Sequence, residues 1–184
     1  MSSIIEDDLF RYEGVKCKKI GLKLRYFFFT PGFRFTYFFR KAAIAKNPLF
    51  RSFWKICHRY AMLSTGIQIP VCTQIGRGFR ISHWGTIVVN GKARIGKNFN
   101  IAQGVLIGYS DGKRRGVPQI GDNVIINANA VVVGGITIGN NVLIAPNSFV
   151  NFDVPDNSIV IGNPGKIIAR NESPTKKYLV YTIE

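Results

Sequence analysis

The hydrophobic residues in the middle of the chain recur at every sixth position, in a series interrupted by a two-residue slip after Ile87 and a longer break after Ile107. The positions of this series are Ile69, Ile75, Ile81, Ile87, Val89, Ile95, Ile101, Ile107, Ile120, Ile126, Val132, Ile138, Ile144 and Val150. A short period sustained over about eighty residues indicates a repeat architecture.

Six residues suit one short strand followed by one corner. Three such sides form a coil of about eighteen residues, and coils stack at the spacing of hydrogen-bonded strands, about 4.8 Å. Gly follows five of the series positions, where we expect it to permit corner conformations that a Cβ atom would penalise. A β-sandwich would need alternation of period two, which is absent from this stretch. The pattern predicts a mainly β protein, a parallel β-helix of four to five coils.

The segment Leu22–Ala43 is rich in aromatic residues, which make up nine of the fourteen residues from Tyr26 to Phe39. Its apolar run is too short for a membrane span and is interrupted by Arg34. Two interpretations stay open. The segment is a basic-aromatic surface that rests on the anionic inner membrane, or a short helical domain whose rings pack on the first coil and on neighbouring subunits.

The stretch Pro48–Ser64 has apolar residues at helical spacing. It predicts a helix with Asn47 as its cap, Pro48 in the first turn and Gly66 at its end. The predicted organisation is therefore a helical, basic-aromatic segment over 1–65, a β-helix domain over 66–170 and a carboxy-terminal tail over 171–184.

The chain carries a formal net charge of +15, and residues 1–65 hold 13 Lys and Arg against 4 Asp and Glu. This imbalance suggests a polyanionic partner, but no nucleic-acid-binding module is recognisable, so we predict no nucleic acid. Cys17, Cys57 and Cys72 show no metal-ligand spacing, and no signal peptide is apparent. We expect no metal and a cytoplasmic protein. A peripheral position on the inner face of the cell membrane is expected only under the first interpretation of the aromatic segment.

Three stretches carry a resemblance to a known family: GIQIPVCTQIGRGFRISHWGTIVVNGKARIG, IAQGVLIGYSDGKRRGVPQIGDNV and IVIGNPGKIIAR. Together, over Gly66 to Arg170, they resemble the hexapeptide-repeat acyltransferases, and most of all the serine-acetyltransferase-like branch. The resemblance implies a left-handed parallel β-helix, acetyl-CoA as co-substrate, and a homotrimer with its sites in the grooves between subunits.

Of the two histidines, His58 lies on the predicted helix and is expected to be a surface or packing residue. His83 comes two residues after Ile81, at a corner that faces outward, and a histidine near neutral pKa suits proton removal from an alcohol. The resembling family carries its catalytic histidine at this position. The neighbouring Trp84 is either a wall of the acceptor pocket or a packing residue.

The resemblance also suggests where CoA binds. Lys166 and Arg170 are candidates for contacts with its phosphates. Lys113, at the tip of the loop Gly108–Gln119, either contributes to such contacts or lies in a solvated loop. The small side chains of Ala128 and Ala145 would leave a groove for the pantetheine arm.

Departures from the serine enzymes concern the acceptor. Ser82 and Gln68 stand where those enzymes have aspartates, and Val117 stands where they have a second histidine. With no carboxylate to hold an ammonium group, an uncharged hydroxyl fits better, and the chain resembles the subgroup associated with polysaccharide O-acetylation. We therefore expect Ser82, Trp84 and Gln68 to bind a glycan or lipid-linked glycan. The alternatives are a serine O-acetyltransferase and a non-catalytic trimeric β-helix scaffold.

Overall fold

The computed structural model describes residues 3–184 and begins with a helical region. Its helices are α1 (Ile4–Glu13), a 3₁₀ helix (Gly14–Lys18), α2 (Ile20–Phe29), α3 (Pro31–Ile44) and α4 (Pro48–Thr65). No helix in this part of the chain is long and apolar enough to cross a membrane.

Short strands follow and form three sheets. The strands are β1 (Gln74–Ile75), β2 (Arg80–Ile81), β3 (Val88–Val89), β4 (Arg94–Ile95), β5 (Asn100–Ile101), β6 (Leu106–Gly108), β7 (Gln119–Ile120), β8 (Ile125–Ile126), β9 (Val131–Val133), β10 (Thr137–Ile138), β11 (Leu143–Ile144), β12 (Phe149–Val150), β13 (Ser158–Ile161) and β14 (Lys166–Ala169). The first face holds β1, β4, β7 and β10, the second holds β2, β5, β8, β11, β13 and β14, and the third holds β3, β6, β9 and β12.

The chain visits the first, second and third faces in turn and then starts the next coil. Neighbouring strands are parallel and in register, so that Ile75 pairs with Ile95, Ile95 with Ile120, and Ile120 with Ile138. Only β14 runs antiparallel, against β13. All fourteen series positions lie in the core, and none is more than 8% exposed. The structure therefore confirms the predicted parallel β-helix.

The corner glycines serve a different purpose from the one predicted. Gly96 does not adopt a left-handed conformation, but a Cβ atom on it would lie 2.7 Å from the backbone of Gly121 in the next coil. The left-handed residues come two positions later, at Asn98 and at Asn123, where φ is 56° and 58°. Glycine is required at this corner because the backbones of successive coils approach closely, whereas asparagine supplies the left-handed turn.

Helix α4 begins and ends as predicted. The Asn47 side chain accepts hydrogen bonds from the N–H groups of Leu49 and Phe50, and Gly66 ends the helix in a left-handed conformation. The residues that α4 buries are His58, Ala61 and Thr65. The apolar stripe that identified the helix lies instead on its exposed side.

The aromatic segment divides between packing and exposure. Phe35 and Phe39 of α3 are fully buried in the same core as Ile67 and Ile69 of the first coil. For α3 the predicted packing on the first coil is therefore confirmed, whereas the predicted packing on neighbouring subunits stays a prediction. Phe28 and Phe29, near the end of α2, remain 60% and 80% exposed.

A buried ion pair attaches the helices to the β-helix. Arg40 of α3 donates to the carboxylate of Asp8 of α1 at 2.7 Å, and also to the carbonyl oxygens of Ile75 and Gly76, each at 2.6 Å. The same carboxylate accepts the Phe79 N–H at 2.8 Å. Burial raises the pKa of Asp8 to about 6, although Arg40 and the Phe79 N–H both act to lower it.

The carboxy-terminal tail packs back against the coils. Thr175 and Leu179 are buried, and the backbone N–H and carbonyl of Ile183 both hydrogen-bond the side chain of Asn98. Residues 171–184 therefore contribute to the folded unit.

Removing the carboxylate of Asp8 should strongly destabilise the protein. In the Asp8→Ala variant the Arg40 guanidinium stays buried without its counter-ion, so we expect a loss of about 3–5 kcal/mol of unfolding free energy, measured by denaturant unfolding. The exposed Asp111→Ala is the control and should change stability by less than about 0.5 kcal/mol. Equal, small effects of the two substitutions would contradict the anchoring role of the pair.

Two Gly→Ala substitutions should have opposite effects. Gly96→Ala forces a Cβ atom against the next coil and should cost about 1–3 kcal/mol. Gly21→Ala, on α2, meets nothing within 4 Å and should stabilise by about 0.5–1 kcal/mol. Thermal or denaturant unfolding of both variants tests this, and a neutral Gly96→Ala would refute the close-approach explanation.

Candidate active site

His83 lies at the corner between the second and third faces. Strand β2 ends at Ile81, and the Ser82 N–H extends the pairing with the second coil by donating to the Ile101 carbonyl at 2.9 Å. The chain then leaves the sheet, and His83 and Trp84 are both exposed, Trp84 by 50%. Gly85 and Thr86, both with positive φ, turn the chain toward β3. The side chain of His83 is therefore on the outside of the prism, where a substrate can reach it.

The same corner recurs in each following coil, because the strands are in register. The N–H of Ala102 donates to the Ile126 carbonyl, that of Asn127 to Ile144, and that of Ala145 to Val160, at 2.8–3.1 Å. These bonds stack Ser82, Ala102, Asn127 and Ala145 in one column, and His83, Gln103, Ala128 and Pro146 in the next. We call these two columns the His83 edge.

The His83 edge is long, and three of the six residues in the coils that follow the histidine are alanines: Ala102, Ala128 and Ala145. At a spacing of about 4.8 Å per coil, the level of Ala128 lies about 10 Å from that of His83, and the level of Ala145 about 14 Å. The two alanines proposed to contact CoA are thus on the same edge as the histidine. They leave an open strip along the outside of the coils.

Lys166 and Arg170 lie at opposite ends of one strand. Lys166 pairs with Ile161, at the end of β13 that meets the His83 edge. It lies on β14, five strand spacings or about 24 Å from the level of His83. The Arg170 N–H donates to the Asn157 carbonyl at the far end of β13. The structure therefore brings Lys166 to the His83 edge and leaves Arg170 across the second face.

Lys113 lies on a different edge. The loop Gly108–Gln119 departs from β6 and returns at β7, between the third and first faces, and Ser110 and Gly116 exchange two backbone hydrogen bonds across it. Arg114 pairs with Asp153 at 2.5 Å, whereas Lys113 is exposed. Within one chain, the third face separates this loop from His83.

Gln68 lies on the third face, one coil before β3, the strand that follows the His83 corner. Its N–H donates to the Ile87 carbonyl at 2.7 Å, and its carbonyl accepts from the Val89 N–H at 2.9 Å. Its side chain is exposed. Gln68 therefore pairs with the strand that follows the His83 corner, while Ser82 and Trp84 flank the histidine in sequence.

The corner is free of acidic groups from its own part of the sequence. No Asp or Glu occurs between Glu13 and Asp111. Among residues 3–184, His83 has no hydrogen bond or ion pair within the chain. No group of three His, Cys, Asp or Glu side chains in this part of the chain is placed to hold a metal ion.

His58 has a packing role. It is 3% exposed and lies between Phe35 and Phe39, with ring centroids 5.2 and 5.9 Å away. Burial lowers its pKa to about 4, so it is neutral at pH 7. The expectation of a packing residue is confirmed, and the surface alternative is wrong.

Gln103 is a further candidate site residue, which the sequence analysis did not identify. It follows Ile101 by two residues, as His83 follows Ile81, so register places it in the coil next to the histidine. It is exposed. Its position relative to the six-residue series was the signal that would have found it.

Comparison with known proteins agrees with this geometry. Residues 118–151 match the family model "Bacterial transferase hexapeptide (six repeats)". The serine acetyltransferase of Staphylococcus xylosus is 48% identical over 109 residues, which cover 58% of this chain and 50% of the relative. That of Bacillus licheniformis is 37% identical over 121 residues, covering 65% and 56%. The chain thus spans about half the length of these curated relatives.

Solved structures share the fold. The serine acetyltransferase of Neisseria gonorrhoeae in complex with serine has a TM-score of 0.72 and 29% identity, over 89% of this chain and 67% of that one. The hexapeptide repeat and such neighbours support a left-handed β-helix preceded by helices. The chain is therefore similar to the bacterial hexapeptide-repeat transferases and, among them, to serine acetyltransferases.

Proposed function

We propose that the chain is an acetyl-CoA-dependent O-acetyltransferase in which His83 is the general base. The observation that carries this proposal is the His83 edge, which aligns an exposed histidine, the small side chains of Ala128 and Ala145, and the cationic Lys166. The strip between His83 and Lys166 fits a long, flexible thioester whose acetyl end lies at the histidine and whose phosphates lie near the lysine.

The chemistry requires one proton carrier. The His83 imidazole takes the proton of the acceptor hydroxyl as the hydroxyl oxygen attacks the thioester carbonyl carbon. A new C–O bond forms, the C–S bond breaks, and the imidazolium returns the proton to the departing sulfur. Acetyl-CoA supplies the acetyl group in activated form, and the products are the acetyl ester and free CoA.

A trimer would complete the site. The outward row of the third face is apolar and half-buried in the single chain, and it consists of Val88, Leu106, Val131 and Phe149. The equivalent row of the first face is Gln74, Arg94, Gln119 and Thr137, which are polar. The third face therefore suits contact with a second subunit. Such contact would bring the Lys113 loop of one subunit towards the His83 edge of another.

Serine is the first candidate acceptor. The curated relatives and the solved structures are serine acetyltransferases, so they support this alternative better than the polysaccharide interpretation. The choice between serine and a glycan concerns only the acceptor, and His83 is the general base in both cases.

An uncharged hydroxyl, such as that of a sugar, is the second candidate, and a specific observation favours it. Ser82 precedes His83, and Gln68 pairs with the strand that follows the His83 corner; neither carries a carboxylate, and no acidic residue lies between Glu13 and Asp111. The ammonium group of a serine substrate would then have no counter-charge from this part of the subunit that supplies His83.

His83→Ala should strongly reduce transfer. Loss of the base should lower kcat for CoA release from acetyl-CoA by about 10²–10⁴-fold, measured with a thiol reagent in the presence of serine or a host glycan extract. The exposed Lys92→Ala is the control and should retain wild-type activity. Unchanged turnover in His83→Ala would refute the catalytic role, and no turnover by the wild type with any acceptor would favour the scaffold alternative.

Carboxylates at Gln68 and Ser82 should increase the use of serine if the second candidate is right. The variant Gln68→Asp/Ser82→Asp should raise kcat/KM for serine by about 10–100-fold, since a charge-assisted hydrogen bond contributes about 1.5–3 kcal/mol. The matched control is Gln68→Asn/Ser82→Asn, which has the same shape as the Asp variant but no charge. Efficient serine turnover by the wild type, with no gain in the Asp variant, would instead establish serine as the natural acceptor.

A further inference from the structure

The exposed apolar side of the helical region has no role in the proposed acetyl transfer. We propose that it docks on an anionic phospholipid bilayer. The residues that form it, here called the helical surface, are Leu24, Phe28 and Phe29 of α2 and Leu49, Phe53, Ile56, Tyr60 and Leu63 of α4.

On α4 the apolar stripe points away from the protein. Its five members, spaced at three or four residues, are 54–77% exposed. The opposite side of the helix, with His58, Ala61 and Thr65, packs on the fold. A helix on a globular domain normally buries its apolar stripe, so a regular stripe in solvent indicates a partner outside the folded chain.

The exposed parts of α2 and α4 form one surface. A continuous series of ring contacts joins them, with centroid distances of 5.0–6.2 Å. The series runs through Phe28, Phe27, Phe38, Trp54 and Phe53. Aromatic rings of this kind, partly exposed and partly packed, suit the headgroup region of a membrane.

A cavity opens beside this surface. It has a volume of about 420 Å³ and is lined by residues of α1, α2 and α3, among them Leu24, Phe27, Phe28 and Lys41. The Lys41 ammonium lies 5.6 Å from the ring centroids of Tyr37 and Trp54. The lining also contains the Lys23–Glu6 ion pair, which leaves Lys41 as its unbalanced charge. Such a cavity could admit part of an acyl chain, with the lipid phosphate near Lys41.

The positive charge beside the helical surface favours an anionic bilayer over a second copy of the chain. Arg51, Lys55 and Arg59, spaced four apart on α4, run along one side of the apolar stripe and are exposed. No acidic residue is present anywhere in 14–110. A two-fold contact through this surface would bring the cations of both copies into one interface, with no acidic residue of 14–110 to offset them. An anionic bilayer complements both the rings and the charges.

Vesicle flotation tests the proposal without reference to activity. The wild-type protein should float with vesicles of phosphatidylglycerol and phosphatidylcholine, and much less with phosphatidylcholine alone. The Arg51→Gln/Lys55→Gln/Arg59→Gln variant should bind the mixed vesicles about 100-fold more weakly, at about fivefold per lost charge. Phe53→Ser/Ile56→Ser should also reduce binding, since it removes apolar contacts that the single chain does not bury.

The matched control is Lys92→Gln/Lys176→Gln/Lys177→Gln, which removes the same charge at exposed positions outside the helices. It should float like the wild type. Equal loss in the two charge variants, or no flotation of the wild type, would overturn the proposal. A smaller molecular mass of Phe53→Ser/Ile56→Ser in light scattering would identify a second copy as the occupant and would also overturn it.

Discussion

The register between successive coils is the constraint on which the rest of this structure depends. Each strand pairs with the strand one coil away at the same position, so that Ile81, Ile101, Ile126 and Ile144 stack inside the second face. The same register stacks the residues that follow them on the outside. A corner sequence thereby becomes a line of side chains along an edge, and the His83 edge is a direct consequence of strand pairing.

The helices depend on the coils through a small number of polar contacts as well as through packing. The carbonyl oxygens of Ile75 and Gly76 lie at the beginning of the β-helix, where no earlier coil donates hydrogen bonds to them. Arg40, held by Asp8, donates to both and so caps this end of the β-helix. The rings of α3 cover the first coil, while α2 and α4 turn their apolar residues outward. The amino-terminal region therefore both closes the prism and presents a surface to a partner.

The sequence predicted the β-helix, the bounds of α4 and the exposed corner of His83, because each follows from local spacing or capping. It predicted the wrong reason for the corner glycines, since the approach of Gly96 to Gly121 arises only between coils. It also could not show that Arg170 lies across the second face, because the antiparallel return of β14 has no six-residue pattern. Periodicity identified the apolar stripe of α4 but could not show that the stripe faces outward, because this depends on how α4 packs against α3.

The most direct test of the central claim is a crystal structure of the chain with CoA bound. The account predicts that the pantetheine arm runs along the His83 edge past Ala128 and Ala145, with its sulfur at His83 and its phosphates towards Lys166. CoA bound along the first face, or along an edge that does not contain His83, would contradict the account.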